Sequence, residues 1–383
     1  MHLGQGDTAL AVLLLSQAVA SAGHDAALWT ALGVALRFQG RLDDAATALL
    51  RALALEPGRA DAQVYLGMIR LAQGNQETGW PLYQARWRTP GWPERMRYPL
   101  QALWQGRVSA GTRLLLWCEQ GLGDTLQFAR YAPWLQQMLQ TQKAQLVLEL
   151  PQPLLRLLQH SWPTLEMAAL GQVQGRFDAH LPLMDLPNRW GGMGADLLPY
   201  QPGAMPYLKL PAPAAQAVAG TPYPALAPRP GAPAALKVGV TWQGRASHAD
   251  DRLRSLAPEA LLPLFEQPGL AWVSLQKDDP RHPAWLPQTL ADCQDFWDTA
   301  GVLQGLDVVV SIDSAVAHLA AALGKPVLLL LPAVADWRWG LGAPTTPWYP
   351  GMRLFRRGLQ EDWSDVMPRV AAALRQMAGL PGG

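Results

Sequence analysis

Short, strongly apolar segments alternate with amphipathic ones through most of the chain after residue 110. The apolar segments are RLLLWCE (113–119), AQLVLEL (144–150), LKVGVTW (236–242), LAWVSLQ (270–276), DVVVSI (307–312) and PVLLLL (326–331). Such short runs, rich in leucine and β-branched residues, are typical of buried parallel strands. Segments with helical periodicity, such as TLQFARYAPWLQQML and APEALLPLFEQ, lie between them. The alternation predicts two α/β halves with parallel sheets, right-handed crossovers and a cleft between the halves.

Residues 1–92 follow a different pattern, a helix–turn–helix repeat of about 34 residues. Residues 26–59 place signature residues of tetratricopeptide repeats at the expected spacing: Trp29, Leu32, Gly33, Gly40, Ala45, Ala52 and Pro57. One period later come Leu66, Gly67 and Gly74, and one period earlier Gly6, Ala11 and Ala18. The small residues permit close helix packing. We therefore predict an N-terminal all-α segment of tetratricopeptide repeats, with an incomplete first unit, as expected if the chain begins inside a longer array.

Composition divides the rest of the chain. Residues 211–234 contain seven prolines and few large apolar groups, which predicts a linker or an extended surface segment. The predicted domains are therefore the repeats at 1–92, a first α/β domain at 93–210, the linker at 211–234, and a second α/β domain at 235–383.

Charge and cysteine content exclude several classes of protein. The formal net charge is +1, without long runs of Lys and Arg, so we expect no nucleic-acid partner. Cys118 and Cys293 are far apart in sequence and lie among apolar residues, which predicts reduced core thiols. Residues 9–22 resemble a signal peptide, but no Lys or Arg precedes them and Asp7 does. We predict a cytoplasmic protein without a signal peptide or transmembrane segment.

Polar residues follow four of the predicted strands. Asp313, Ser314 and Ala315 lie where a strand ends and a helix begins, with His318 about one turn later. In parallel sheets this edge, with its helix N-termini, is where anionic ligands bind. The alternative for this segment is an ordinary helix cap and a buried core histidine. EQGLGDT (119–125), GVTWQGRASHADDRLRSL (239–256) and SLQKDDP (274–280) occupy the corresponding positions after other strands.

These segments resemble tetratricopeptide-containing members of glycosyltransferase family 9, which includes the lipopolysaccharide heptosyltransferases. The resemblance covers about residues 111–375 apart from the linker, and its most specific part is DSAVAH (313–318). It implies an α/β protein with a GT-B fold. Such a fold has two Rossmann-like domains, of which the first mainly binds the acceptor and the second binds the nucleotide-sugar. The repeats are absent from the heptosyltransferases, so a lipopolysaccharide acceptor is not implied.

The resemblance also implies roles for individual residues. Asp124 matches the family's proposed catalytic base. The positions implied for nucleotide-sugar binding are Gly123, Thr241, Gln243, Arg254, Gln276, Lys277, Asp313, Ser314, Ala315 and His318. Arg254 falls near a family lysine that contacts donor phosphate. Gln276 falls near an acidic residue that binds the donor ribose, so the family's nucleotide preference does not carry over.

The chemistry of these residues suits an inverting sugar transfer. One carboxylate takes the proton of the acceptor hydroxyl, while a helix N-terminus with Arg254, Thr241 and Ser314 stabilises the departing diphosphate. Since no Asp-x-Asp triplet occurs in the sequence, we predict a metal-independent enzyme without a cofactor. The repeats suggest a polypeptide acceptor or partner. The alternatives are a non-catalytic repeat scaffold or nucleotide-sugar-binding protein on a degenerate fold, and a fused nucleotide-sugar epimerase.

The tryptophans near the C-terminus have two interpretations. Trp337, Trp339 and Trp348 either stack on the sugar or base of a ligand, or pack in the core or at its rim.

Overall fold

The computed structural model describes residues 5–92, 95–119, 121–191, 205–210, 235–244, 251–277 and 279–380. The predicted linker at 211–234 lies outside the described residues. The chain forms two compact units. The first, here called the helical unit, comprises Met1–Gly106, Asp185–Leu198 and Ala333–Ala343, and the second, the sheet unit, comprises Arg107–Met184, Pro199–Pro332 and Pro344–Gly383. The predicted domain boundaries stay predictions.

The helices and strands are numbered in chain order. The helices are α1 (Gln5–Ser21), α2 (Ala26–Phe38), α3 (Leu42–Leu55), α4 (Ala60–Ala72), α5 (Gln76–Tyr83), α6 (Leu122–Ala129), α7 (Ala132–Thr141), α8 (Gln152–Ser161), α9 (Leu186–Gly191), α10 (Asp251–Arg254), α11 (Leu262–Phe265), α12 (Phe296–Gln304), α13 (Ala315–Ala322) and α14 (Trp363–Met377). The strands are β1 (Arg113–Trp117), β2 (Gln145–Leu150), β3 (Glu166–Ala169), β4 (Ala179–Pro182), β5 (Leu236–Thr241), β6 (Leu270–Ser274), β7 (Val308–Ile312), β8 (Val327–Leu331), β9 (Thr345–Thr346) and β10 (Tyr349–Arg356).

Glycines determine how closely the helices of the helical unit pack. A Cβ atom on Gly33 in α2 would lie 2.7 Å from Cγ of Leu49 in α3, so only a glycine fits without displacing that side chain. Gly40 and Gly74 follow α2 and α4 with φ of 73° and 81°, a left-handed backbone that glycine adopts at little cost. The helices and their turns are therefore compatible with the predicted repeats.

Substitution of Gly67 tests this packing. A Cβ atom there would lie 2.7 Å from the backbone nitrogen of Tyr83 and 3.0 Å from the carbonyl oxygen of Gly79, so α4 and α5 must separate. We expect Gly67→Ala to lower the free energy of unfolding by about 1–3 kcal/mol, as overpacking typically does, measured by chemical denaturation. Gly58→Ala is the matched control, since a Cβ atom there meets nothing within 4 Å. Equal stability of the two variants would contradict close packing at Gly67.

Residues from later in the chain complete the core of the helical unit. The ring centre of Trp337 lies 5.1 Å from that of Trp80 and 5.9 Å from that of Tyr83. Trp337, Trp339 and Trp348 are all buried, and Trp348, in the sheet unit, packs edge-on against Phe128. Of the two interpretations of these tryptophans, packing is therefore the one the structure confirms.

The sheet unit contains two sheets, as predicted. The first has the strand order β3-β2-β1-β4 with parallel pairing throughout. The second has the order β6-β5-β7-β8-β10-β9, parallel except for the short antiparallel pair β9–β10. Strands β6, β7 and β8 are buried at every position, which explains their continuous apolar sequences. The predicted α/β fold class, with an N-terminal all-helical segment, is confirmed.

Two further predictions are tested by the fold. Cys118 and Cys293 are both buried, as expected, and are not joined in a disulfide. Within the described ranges, no helix combines the length and the apolar character required to cross a bilayer.

Candidate active site

Asp124 lies in the first turn of α6, shortly after β1 ends. Its Oδ2 accepts a hydrogen bond of 3.0 Å from the backbone N–H of Gly121, the residue that precedes the helix. The hydroxyl of Thr125 donates to the Gly121 carbonyl at 3.1 Å, which also holds this turn. The carboxylate thus acts as a helix cap, which is the structural alternative to a catalytic role. A carboxylate has two oxygens and about four lone-pair sites, so capping does not exhaust its capacity to accept hydrogen bonds.

The predicted donor turn follows β7. Ser314 is the N-cap of α13 and accepts a hydrogen bond of 3.3 Å from the backbone N–H of Ala317. The hydroxyls of Ser311 and Ser314 lie 3.0 Å apart, so the end of the strand and the start of the helix are tied together. Backbone N–H groups and the positive end of the helix dipole collect at this turn.

The first turns of α6 and α13 are in direct contact. A Cβ atom on Gly123 would lie 2.8 Å from Cδ2 of His318 and 3.5 Å from Cα of Ala315. Only a glycine allows this approach without displacing the imidazole. The structure therefore brings the residue next to Asp124 against the predicted donor turn, and the predicted cleft is closed at this point.

His318 is buried, with 1% of its surface exposed. Its Nδ1 lies 2.8 Å from Oη of Tyr349, and its Nε2 lies 3.6 Å from Oδ1 of Asp313. Burial raises the pKa of the Tyr349 phenol well above its usual value; nearby Tyr207 adds to this and the Arg130 charge opposes it. The phenol therefore stays protonated over the physiological range.

Arg130 was not predicted as a site residue. Its guanidinium donates to the carbonyl of Trp348 at 2.7 Å and to Oη of Tyr207 at 3.3 Å. It also lies 4.6 Å from the ring centres of both Tyr207 and Tyr349, a distance at which a cation is attracted to an aromatic face. Neither Arg130 nor Tyr349 follows a predicted strand, so their positions in the sequence did not indicate a site.

The ends of β5 and β6 are joined by one side chain. Oε1 of Gln276 accepts hydrogen bonds from the hydroxyl of Thr241 at 2.9 Å and from the backbone N–H groups of Trp242 and Gln243 at 3.2 and 3.0 Å. Gln276 is buried, and its amide oxygen holds the residues at the end of β5 against the end of β6. Oε1 of Gln243 accepts a bond of 2.7 Å from Arg281, another residue the sequence did not indicate.

Arg254 and Lys277 lie beside the same strand ends. A Cβ atom on Gly244 would lie 2.7 Å from Nη2 of Arg254, so this guanidinium packs over the backbone that follows β5. Arg254 also pairs with Asp251 at 3.4 Å and keeps 18% of its side chain exposed. Lys277 is exposed, and its Nζ donates to the carbonyl of Cys293 at 3.1 Å. Residues 245–250, which belong to this predicted loop, lie outside the described residues.

The site residues after β5, β6 and β7 therefore share one edge of the second sheet. Parallel pairing aligns Thr241 with Ser311, which places the ends of β5 and β7 side by side. Within the part of the chain that the structure describes, no group of three or more His, Cys, Asp or Glu side chains is arranged to hold a metal ion.

One family model matches part of this sheet edge. Residues 287–352 match the model of Glycosyltransferase family 9 (heptosyltransferase). This segment is similar to glycosyltransferase family 9. The segment contains α12, β7, α13 and β8, and so the whole of the predicted donor turn from Asp313 to His318. The predicted resemblance is confirmed, and the match supports a glycosyltransferase.

Similarity to a known protein extends beyond this segment. Protein FlbA of Caulobacter vibrioides is 29% identical over 333 residues, which cover 81% of this chain and 54% of FlbA. The chain thus spans about half the length of this relative.

Solved structures with detectable similarity include three glycosyltransferases. The family 9 glycosyltransferase of Veillonella parvula is 10% identical, with a TM-score of 0.45 over 71% of this chain and 99% of that chain. E. coli heptosyltransferase WaaC with ADP is 13% identical, with a TM-score of 0.39 over 70% and 99%. The iron-containing dodecameric glycosyltransferase TibC of enterotoxigenic E. coli is 12% identical, with a TM-score of 0.40 over 71% and 77%.

Proposed function

We propose that the protein is an inverting glycosyltransferase that moves a sugar from a nucleotide-sugar donor to a hydroxyl acceptor. The observation that carries this proposal is the contact between Gly123 at the start of α6 and Ala315 and His318 at the start of α13. It brings the carboxylate-bearing turn next to a helix N-terminus within the family 9 segment. A base and an anion-binding turn are the two elements that an inverting transfer requires.

Asp124 is proposed as the general base. In the reaction, the acceptor oxygen forms a bond to the anomeric carbon while the bond from that carbon to the diphosphate oxygen breaks. The acceptor proton passes to the Asp124 carboxylate, and the electron pair of the broken bond stays on the diphosphate. The N-cap bond from Gly121 holds the carboxylate in a fixed rotamer, which favours proton transfer at a defined position.

The departing diphosphate is proposed to bind at the edge of the second sheet. The backbone N–H groups at Ser314 and Ala315 supply donors, and the positive end of α13 favours the negative charge. The guanidinium of Arg254 adds a side-chain donor, whereas the hydroxyl of Thr241 already donates to Gln276. Since this set has its own cation and the sequence lacks an Asp-x-Asp triplet, we propose transfer without a metal bridge.

Arg254→Ala tests the diphosphate site. We expect the variant to bind nucleoside diphosphates about 10–150-fold more weakly, because it loses a charge-assisted hydrogen bond of roughly 1.5–3 kcal/mol. Binding of ADP, UDP, GDP and dTDP would be measured by calorimetry with and without a chelator, and the chelator should have no effect. The control is Arg369→Ala, which removes an exposed arginine on α14 that pairs with Glu361. Unchanged affinity would remove Arg254 from the site, and chelator-sensitive binding would contradict the metal-free proposal.

The acceptor is proposed to be a polypeptide that the repeats of the helical unit bind, in the cytoplasm. Concave surfaces of tetratricopeptide helices are suited to extended peptides, and the two free cysteines suit a reducing compartment. Incubation with a donor carrying a radioactive sugar should leave label on protein. Label found only on lipid or on a free saccharide would contradict a polypeptide acceptor.

A second function is favoured by one observation, the cap formed by Asp124. If capping is the whole role of this carboxylate, the protein binds nucleotide-sugars without turning them over. Hydrolysis of the donor by the purified protein separates the two functions, because only an enzyme releases nucleoside diphosphate from the nucleotide-sugar.

A further inference from the structure

His318 makes its contacts with the protein itself. It is buried, and its two ring nitrogens face a phenol on one side and a carboxylate on the other. The edge of the ring at Cδ2 supports the backbone of Gly123, next to the proposed base. An imidazole in these surroundings holds the two helix starts together, whereas the resemblance implies a direct contact with the donor.

The neighbours of Tyr349 favour one direction of hydrogen bonding. Its phenol lies 2.8 Å from Nδ1 of His318 and has Tyr207 as its other hydroxyl neighbour. Tyr207 donates its own proton to the carbonyl of Leu126 at 3.0 Å, and its oxygen already accepts a bond from Arg130. The Tyr349 hydroxyl is therefore better placed to donate its proton to Nδ1 of His318. The positive charge of Arg130 also makes the phenol a stronger donor.

The carboxylate on the opposite side of the imidazole favours the same position of the ring proton. Nε2 of His318 faces Oδ1 of Asp313 at 3.6 Å. An unprotonated Nε2 would direct a lone pair at a carboxylate, whereas a protonated one directs an N–H at it. Both neighbours therefore favour a neutral imidazole with its proton on Nε2 and with Nδ1 as acceptor.

We infer that His318 is a positioning residue: Arg130 and Tyr349 hold its imidazole as the Nε2–H tautomer, so that it orients Asp313 and seats the Gly123 turn beside the donor turn. This inference rests on the proposed function. It attributes the position of the Gly123 turn beside the donor turn to His318, Tyr349 and Arg130. Asp124 then depends on a chain of contacts that begins at Arg130 and ends at the turn adjoining the base.

The tautomer is measured in the protein without ligand. Nitrogen-15 NMR of histidine-labelled protein should show a pyridine-like Nδ1 and a pyrrole-like Nε2 for His318, assigned by the signals that His318→Asn removes. Tyr349→Phe should shift both signals towards a mixture of tautomers. Tyr207→Phe is the matched control, because it removes a half-buried hydroxyl of the same cluster and leaves the Tyr349–His318 contact in place. A proton on Nδ1, or on both nitrogens, in the wild-type protein would overturn the inference.

Kinetics test the positioning role. His318→Gln keeps an amide N–H near the position of Nε2, whereas the shorter Asn does not reach it. We expect His318→Asn and Tyr349→Phe to lower kcat for donor hydrolysis at least about tenfold, with His318→Gln largely retaining it. The Kd for ADP, UDP, GDP or dTDP, whichever binds, should change less than about threefold in all three variants.

The outcomes separate this inference from the proposed function. If His318→Asn weakens nucleoside diphosphate binding as much as turnover, His318 contacts the ligand and the positioning role is wrong. Equal kcat for His318→Gln and His318→Asn would mean that the side chain only fills space. Absence of turnover in the wild-type protein would overturn the proposed function and the catalytic half of this inference, and the tautomer measurement would still test the contact between Tyr349 and His318.

Discussion

Asp124→Asn is expected to lower the rate of sugar transfer about 10²–10⁴-fold, the usual effect of removing a general base. The asparagine keeps the shape of the side chain, and its amide oxygen can still accept the hydrogen bond that Gly121 donates at 3.0 Å. The first turn of α6 should therefore stay intact, and the affinity for nucleoside diphosphates should be close to that of the wild-type protein. Rates would be measured as release of nucleoside diphosphate, and folding by thermal melting.

Asp124→Ala is the matched variant that removes the cap as well. Loss of an N-terminal cap costs about 0.5–2 kcal/mol of stability, so the alanine variant should melt at a lower temperature than the asparagine variant. If Asp124 is the base, both variants lose turnover to the same degree in spite of their different stabilities. If capping is its only role, turnover follows stability and the asparagine variant remains active.

Six of the ten described strands of the sheet unit, all but β3, β4, β9 and β10, could be predicted because each is a short apolar run. All six predicted strands are present, and β6, β7 and β8 are buried along their whole length. The sequence did not indicate β10, Tyr349–Arg356, because its exposed positions and its Pro and Gly interrupt the apolar pattern. Its place next to β8 depends on pairing between residues distant in the chain.

One predicted helix is two helices in the structure. The segment 125–139 has a single helical periodicity, but α6 ends at Ala129 and α7 begins at Ala132. Pro133 lacks the N–H group that would bond to the carbonyl four residues earlier, which favours a break at this point. The break lets Arg130 turn towards Trp348, a partner 218 residues away. Contacts over such a separation leave no mark in local periodicity.

The candidate site was predicted where strand ends carry polar residues. The turns at Gly123–Asp124 and Asp313–Ala315 lie at helix starts, as expected from the rule that parallel strands end at one edge. Local sequence could not show that Gln276 turns its amide oxygen inward to three donors, or that Tyr349 reaches His318 with Arg130 against its ring. These contacts are formed when distant elements pack together.

The largest effect on stability is expected at a buried ion pair of the helical unit. Nη2 of Arg86 lies 2.7 Å from Oδ1 of Asp185, with side-chain exposures of 0% and 2%. The guanidinium lies 4.9 Å from the ring centre of Tyr83 and 4.5 Å from that of Trp87. Asp185 also accepts a hydrogen bond of 2.9 Å from the indole of Trp87. The pair thus joins the segment after α5 to the segment that leads into α9.

Asp185→Asn should lower the free energy of unfolding by roughly 3–5 kcal/mol, because it leaves the charge of Arg86 buried without its counter-ion. The double variant Arg86→Met with Asp185→Leu should recover most of this loss, since neither apolar side chain has a charge to desolvate. Asp44→Asn is the control. It breaks the pair between Arg41 and Asp44 at the start of α3, which is 52% and 57% exposed, and such a pair contributes only about 0–1 kcal/mol. Urea denaturation followed by tryptophan fluorescence measures all three variants.

If Asp185→Asn is no less stable than Asp44→Asn, water reaches the pair and screens it. If the double variant is less stable than Asp185→Asn, the pair itself, more than the desolvation of a single charge, stabilises the helical unit.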